Sequence, residues 1–255
     1  MDWTDPTRAI TPTLDGAVLT VLAGVTEPLT GREVHRRARR GSAMGVYRVL
    51  GRLEKQGLVV GVDAAPARLY QLNRDHVAAD VAVLLRDLRS RLFDRMRQDL
   101  ASWPVAPVSA ALFGSVARGD GDTDSDVDVL LVRSDGIADD SEPWATSVFE
   151  LGQKIRRWTG NEASMLQADT AEVVDMVARS APVVQSLTQD AIDLAGTPIR
   201  APRTVEGRMT SRREDRSEPG GHVPVSVTAI CRAESFEVAT IRSLGKGSRP
   251  GARVD

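Results

Sequence analysis

Apolar residues recur at helical spacing through Leu14, Val18, Leu19 and Leu22, and the step from Gly24 to Glu27-Pro28 closes that element. A first helix is therefore expected after a polar lead. Thr30 stands three residues before Glu33, the spacing of a capping box, and predicts a short second helix through His35 and Ala38. From Ser42, the positions Met44, Val46, Tyr47, Val49, Leu50 and Leu53 extend a third helix that stops at Gly57, with Tyr47, Leu50 and Leu53 turned inward. Residues 58–62 and 68–72 read as the two strands of a hairpin. Val77, Val81, Leu84, Leu85, Leu88, Leu92, Met96 and Leu100 then trace one stripe of a single long helix, which Trp103-Pro104 ends. Beyond it the period changes. Residues 108–113 and 127–132 are short, apolar and β-branched, as buried strands are; a helix over 144–158, a strand near 163–166, a helix over 171–178 and a short strand over 192–194 follow. After Ile199, Arg, Ser, Gly, Pro and Glu dominate, and the tail is expected to be mostly disordered.

This order divides the 255 residues into four stretches. Three helices followed by a hairpin over 12–75 are the order of a winged helix-turn-helix. Residues 76–102 form a connector helix whose stripe packs on its neighbours or, as a dimerising helix would, on a second copy of the chain. Residues 105–199 form a small mixed α/β domain, and 200–255 the tail. The expected fold class is α+β multidomain. Hydrophobic residues at 42% and charged residues at 27% exclude collagen-like, wholly disordered and disulfide-scaffold classes, and a single cysteine, Cys231, excludes an internal disulfide. No apolar run reaches the roughly 18 residues of a membrane helix and no secretory signal pattern opens the chain, so a cytoplasmic location without membrane contact is expected.

The formal charge of -2 hides an asymmetry. Residues 1–74 hold 11 basic and 7 acidic side chains, 110–200 hold 7 and 16, and 201–255 hold 10 and 7. A basic block suits a polyanion; an acidic block with clustered carboxylates suits bound cations.

Within the acidic block, Leu112-Phe113-Gly114-Ser115-Val116-Ala117-Arg118-Gly119-Asp120 is followed, after residues 121–125, by Asp126-Val127-Asp128-Val129. A Gly-Ser pair at a strand-to-helix corner lets backbone approach a ligand closely, and the helix N-terminus then offers N–H groups to a phosphate. Asp126 and Asp128, two apart on an expected strand, point to one side, and two like charges that close are costly unless a divalent cation lies between them. Phosphate on one side and magnesium on the other make a nucleoside triphosphate site. Five aspartates alternate from Asp120 to Asp128, but an EF-hand would need Gly at Ser125 and Glu at Leu131, so calcium is excluded.

Gly114-Ser115, ten intervening residues and Asp126-x-Asp128 resemble the signature of the DNA polymerase β-type nucleotidyltransferase superfamily, in particular its minimal MNT-type domain. The resemblance implies two-metal nucleotidyl transfer from ATP or another NTP, with Asp126 and Asp128 holding Mg2+, and Gly114, Ser115 and Arg118 contacting the phosphates. The family supplies a third carboxylate from a later strand, for which Glu162 is the nearest candidate. Relatives of this type act on proteins, RNA or small molecules, and some are antitoxins that adenylylate a HEPN-type toxin partner.

In the basic half, Arg36, Arg37, Arg39 and Arg40 precede the Ser42 helix, and Arg48 and Arg52 lie four apart on it. The layout resembles bacterial regulators of MarR or ArsR shape and implies DNA as partner. Ser42 and Arg48 are the expected base contacts, Arg68 the wing's backbone contact. Two functions stay open on the sequence: a nucleotidyltransferase coupled to a DNA-binding domain, or a transcriptional regulator whose nucleotidyltransferase-like domain only senses a nucleotide.

Overall fold

The computed structural model describes residues 1–199, so the tail expected over 200–255 lies outside the described residues. The chain forms two compact units. Among the described residues, the first comprises Met1–Gln98 with Gly119–Asp126 and Lys154–Glu162; the second comprises Asp99–Arg118, Val127–Gln153 and residues 163–199.

In the first unit, α1 (Leu14–Ala23), β1 (Leu29–Thr30), α2 (Gly31–Ala38), α3 (Ala43–Lys55), β2 (Val59–Ala64), β3 (Ala67–Leu72) and α4 (Ala79–Arg86) follow in turn. The expected capping box at Thr30 is present: its hydroxyl accepts the Glu33 N–H at 3.2 Å, and Glu33 Oε2 accepts the Thr30 N–H at 2.9 Å. Those hydrogen bonds hold the Glu33 carboxyl below its ordinary pKa. Ser42 caps α3, accepting from Gly45 N at 3.1 Å. Val46, Leu50 and Leu53, spaced four and three apart, turn one face of α3 onto Val18 and Leu22 of α1 and Val34 of α2. The three strands pair antiparallel in the order β1-β3-β2.

Three expectations change here. The hairpin gains β1, which pairs Leu29 with Tyr70 and Thr30 with Leu69; two residues behind Pro28 are too short to show a period. Tyr47 does not turn fully inward. It is 44% exposed, and its ring lies so close to Gly31 that a Cβ there would overlap it. The single connector helix is two, α4 and α5 (Leu88–Leu100), broken at Asp87, whose carboxylate takes Arg86 Nε at 2.7 Å and Nη2 at 3.0 Å. Ala79, Ala82 and Leu85 of α4 are buried, the first two in the same core as α1, while Val77, Val81 and Leu84 are exposed.

The second unit contains β4 (Ser109–Phe113), α6 (Gly114–Arg118), β5 (Val127–Arg133), β6 (Ala163–Asp169), α8 (Thr170–Ala178), α9 (Pro182–Asp190) and β7 (Ile192–Gly196); α7 (Glu142–Thr159) starts in it. The sheet order is β6-β5-β4-β7, with β5 and β6 parallel and the other pairs antiparallel. β5 is one of the two inner strands and reads as a near-continuous apolar run because both faces are covered. Ala111, Leu130 and Val132 meet Val173 of α8 and Leu187 of α9 in one core. Among the described residues no helix is long and apolar enough to cross a membrane.

Candidate nucleotide site

The corner between β4 and α6 is built by Gly114, whose φ of +70° lies in the left-handed region that glycine enters without steric cost. Antiparallel pairing sets Phe113 opposite Asp128, and the Asp128 carboxylate then fills the space a side chain would take. A Cβ on Gly114 would lie 3.1 Å from Asp128 Cγ and overlap its Oδ2. The corner residue is therefore glycine on two grounds, conformation and contact. Its N–H donates to Ser186 Oγ of α9 at 3.3 Å. Ser115, next along, is half-buried, and its hydroxyl has no hydrogen-bond partner among the described residues. Arg118, at the end of α6, forms an ion pair with Asp190 at 3.6 Å. With five residues, α6 is too short to develop the field of a full helix.

Of the aspartate pair, one lies in a strand and one just before it. β5 begins at Val127, so Asp128 lies within the strand and is half-buried, whereas Asp126 precedes it and is exposed. Asp126 ends a loop ordered by its own turn. Asp122 Oδ1 accepts from Ser125 Oγ at 2.9 Å and from Asp124 N at 3.0 Å. These bonds hold the Asp122 carboxyl below its ordinary pKa.

Asn161, unremarked in the sequence, is the residue that fixes this loop. Buried to 2% exposure, its Nδ2 reaches Asp122 O at 3.2 Å, Thr123 O at 3.2 Å and Ser125 O at 2.9 Å. One side-chain amide thus serves three backbone carbonyls of the turn that leads to Asp126. No periodicity or motif marks such a residue; only its neighbour Glu162 drew notice in the sequence.

Glu162 itself falls one residue before β6, and its carboxylate pairs with Arg156 at 3.0 Å, with a side-chain exposure of 61%. On β6 the register sets Ser164 beside Asp128, Leu166 beside Leu130 and Ala168 beside Val132. Residues in register share a face of the sheet, so the face of Asp128 carries no carboxylate on β6. Among the described residues no three His, Cys, Asp or Glu side chains gather as a ligand set.

In the basic half, Arg40 donates to Pro12 O at 2.6 Å and pairs with Asp5, and Arg52 pairs with Asp15. Arg68 bridges Glu54 of α3 and Asp63 of β2, and those hydrogen bonds push its pKa further up. These three arginines brace the unit. Arg36, Arg37, Arg39 and Arg48 are exposed and form no ion pair among the described residues. The outer face of α3 presents Met44, Tyr47, Arg48, Arg52 and Lys55.

Residues 90–166 match the family described as a nucleotidyltransferase domain. The match spans β4, α6, β5 and α7 and takes in Gly114, Ser115, Arg118, Asp126, Asp128 and Glu162. Among solved structures, the chain is similar to a mutant of the toxin-antitoxin MntA-HpeT at 13% identity and a TM-score of 0.31. It is also similar to a toxin-antitoxin with AMP-PNP at 14% identity and a TM-score of 0.30. Each alignment covers 60% of this chain and 94% of the other. No curated protein matches the sequence.

Proposed function

We propose that this chain moves the NMP group of ATP, or of another NTP, onto an acceptor hydroxyl, and that its N-terminal unit binds DNA. The observation that carries the first half is the left-handed Gly114 corner lying against the half-buried Asp128 carboxylate, inside the stretch that matches the nucleotidyltransferase domain. The Ser115 hydroxyl at that corner suits a phosphate oxygen, and a carboxylate at the same place suits a cation that the phosphates also hold.

The donor set fits magnesium in one respect. Mg2+ characteristically keeps several waters and is bound by one or two carboxylates plus substrate phosphates, which Asp128 and Asp126 can supply. Bound there, the ion would neutralise phosphate charge as pyrophosphate leaves. A second, bridging ion lacks its third carboxylate, since β6 offers Ser164, Leu166 and Ala168 on that face. In the transfer, the acceptor oxygen forms a bond to the α-phosphorus, the bond from that phosphorus to the β-bridging oxygen breaks, and pyrophosphate carries away the electron pair. The acceptor's proton passes to solvent or to a base on the acceptor.

For the second half, the order of three helices and a hairpin with the strand order β1-β3-β2 supports a winged helix-turn-helix. The basic outer face of α3, with Arg48 exposed, supports its use as the recognition helix. An acceptor on a HEPN-type toxin partner would make the chain an antitoxin that also regulates transcription.

Incubation with α-labelled ATP and a cell lysate tests the transfer. Label on an acceptor is expected from the unaltered chain, and a loss of at least about 100-fold from Asp126→Ala with Asp128→Ala; equal labelling by both proteins refutes the assignment. The missing β6 carboxylate favours a second reading, in which the site holds a nucleotide without turnover. Binding without label would select it.

A further inference from the structure

A second charged hollow lies in the first unit, away from the Gly114 corner in sequence and chemistry. Its cavity of about 380 Å³ is walled by the turn after α1, the start of β1, α2, the segment after β3 and the end of α4. Three guanidinium groups line it: Arg37 from α2, Arg74 from the segment after β3, and Arg86 from α4. Arg86 Nη1 donates to Ala23 O at 3.0 Å, and Arg74 Nη2 reaches the same oxygen at 3.4 Å and Val25 O at 3.1 Å. Ala23 O belongs to the last turn of α1, whose carbonyls lack helical partners, so one cation there is ordinary capping. Two are not: a single carbonyl does not compensate two like charges.

The imbalance is local and open to the cavity. Arg86 has a carboxylate, Asp87, but Arg74 and Arg37 have none within ion-pair distance among the described residues. Glu27, the other charged group on the wall, forms no ion pair. Val25 and Leu29 supply an apolar wall beside it. The combination is a cationic end, an apolar flank and a lone carboxylate that can accept from a hydroxyl or amino group. A volume near 380 Å³ falls in the range of small-molecule sites, about 300–1,000 Å³.

We propose that this cavity binds a nucleoside phosphate, with the phosphate between Arg37 and Arg74, the base against Val25 and Leu29, and Glu27 accepting from a ligand hydroxyl or amino group. Such a ligand would link α2 to the end of α1 and to α4. The proposal does not rest on nucleotidyl transfer.

Calorimetry on the full chain carrying Asp126→Asn and Asp128→Asn, in EDTA, removes the contribution of the Gly114 corner. Titrated AMP is expected to bind one to one, adenosine and inorganic phosphate much more weakly, and Arg37→Gln and Arg74→Gln each to weaken AMP by about tenfold or more. Arg37 is exposed and unpaired, so its variant folds even if loss of the Arg74 cap does not permit folding. No heat with AMP, equal affinity in both variants, or phosphate binding as tightly as AMP overturns the proposal. So does a loss of DNA affinity in Arg37→Gln with no AMP heat, which would make the arginines contacts to the DNA backbone.

Discussion

At the scale of single residues, Gly114 and Asn161 matter most to the candidate site, and they differ in how far the sequence announces them. Gly114 is legible: a Gly-Ser pair between an apolar run and a helical turn, ten residues before Asp-x-Asp, has few other uses. Gly114→Ala places a side chain at φ +70° and into the Asp128 carboxylate. The left-handed conformation alone costs about 1–2 kcal/mol, so a fall in unfolding free energy of at least that size is expected by denaturant titration, with loss of label transfer. Asn161 is not legible, because what it serves is the backbone of a loop 36 to 39 residues earlier. Asn161→Ala removes the side-chain donor that the Asp122, Thr123 and Ser125 carbonyls share, a loss of about 0.5–1.5 kcal/mol per part-buried hydrogen bond. Hydrogen exchange of the Asp124 and Ser125 amides should accelerate in the variant while that of α3 stays unchanged. Equal protection would show that the Asp122 turn orders the loop alone.

Among secondary-structure elements, those with a strong period or a cap were readable and those defined by partners were not. The Thr30 box, the Ser42 start of α3 and both hairpin strands appear where side-chain chemistry places them. β1 exists because β3 offers it a partner, and α9 begins at Pro182 with too few apolar residues to mark a helix. The connector reads as one helix because its stripe is continuous; Arg86 and Asp87 at the break carry no periodic signal. Asp126 lies one residue before β5 and Glu162 one residue before β6, the starts that the apolar runs at 127–132 and near 163–166 already mark. α3 is the element on which the DNA reading depends. Arg48→Ala should weaken binding to duplex DNA and lower the slope of log affinity against log salt by about one if it meets a phosphate; an unchanged slope and affinity would remove α3 from the interface.

For the whole molecule, charge and composition separate a basic N-terminal stretch from an acidic one, and the structure has two compact units, although their borders are not those of the sequence pattern. Residues 119–126 and 154–162 group with the first unit, where Trp3 N donates to Gly121 O at 2.9 Å and the Met1 N-terminus to Thr159 O at 3.0 Å, contacts invisible to hydropathy. The most direct measurement of the central claim is calorimetric titration of the unaltered chain with each of the four ribonucleoside triphosphates in the presence of magnesium. One-to-one binding of at least one triphosphate, abolished when magnesium is replaced by EDTA and in Asp128→Ala, is the predicted result. Heat from none of the four, or equal heat from Asp128→Ala, would contradict the account.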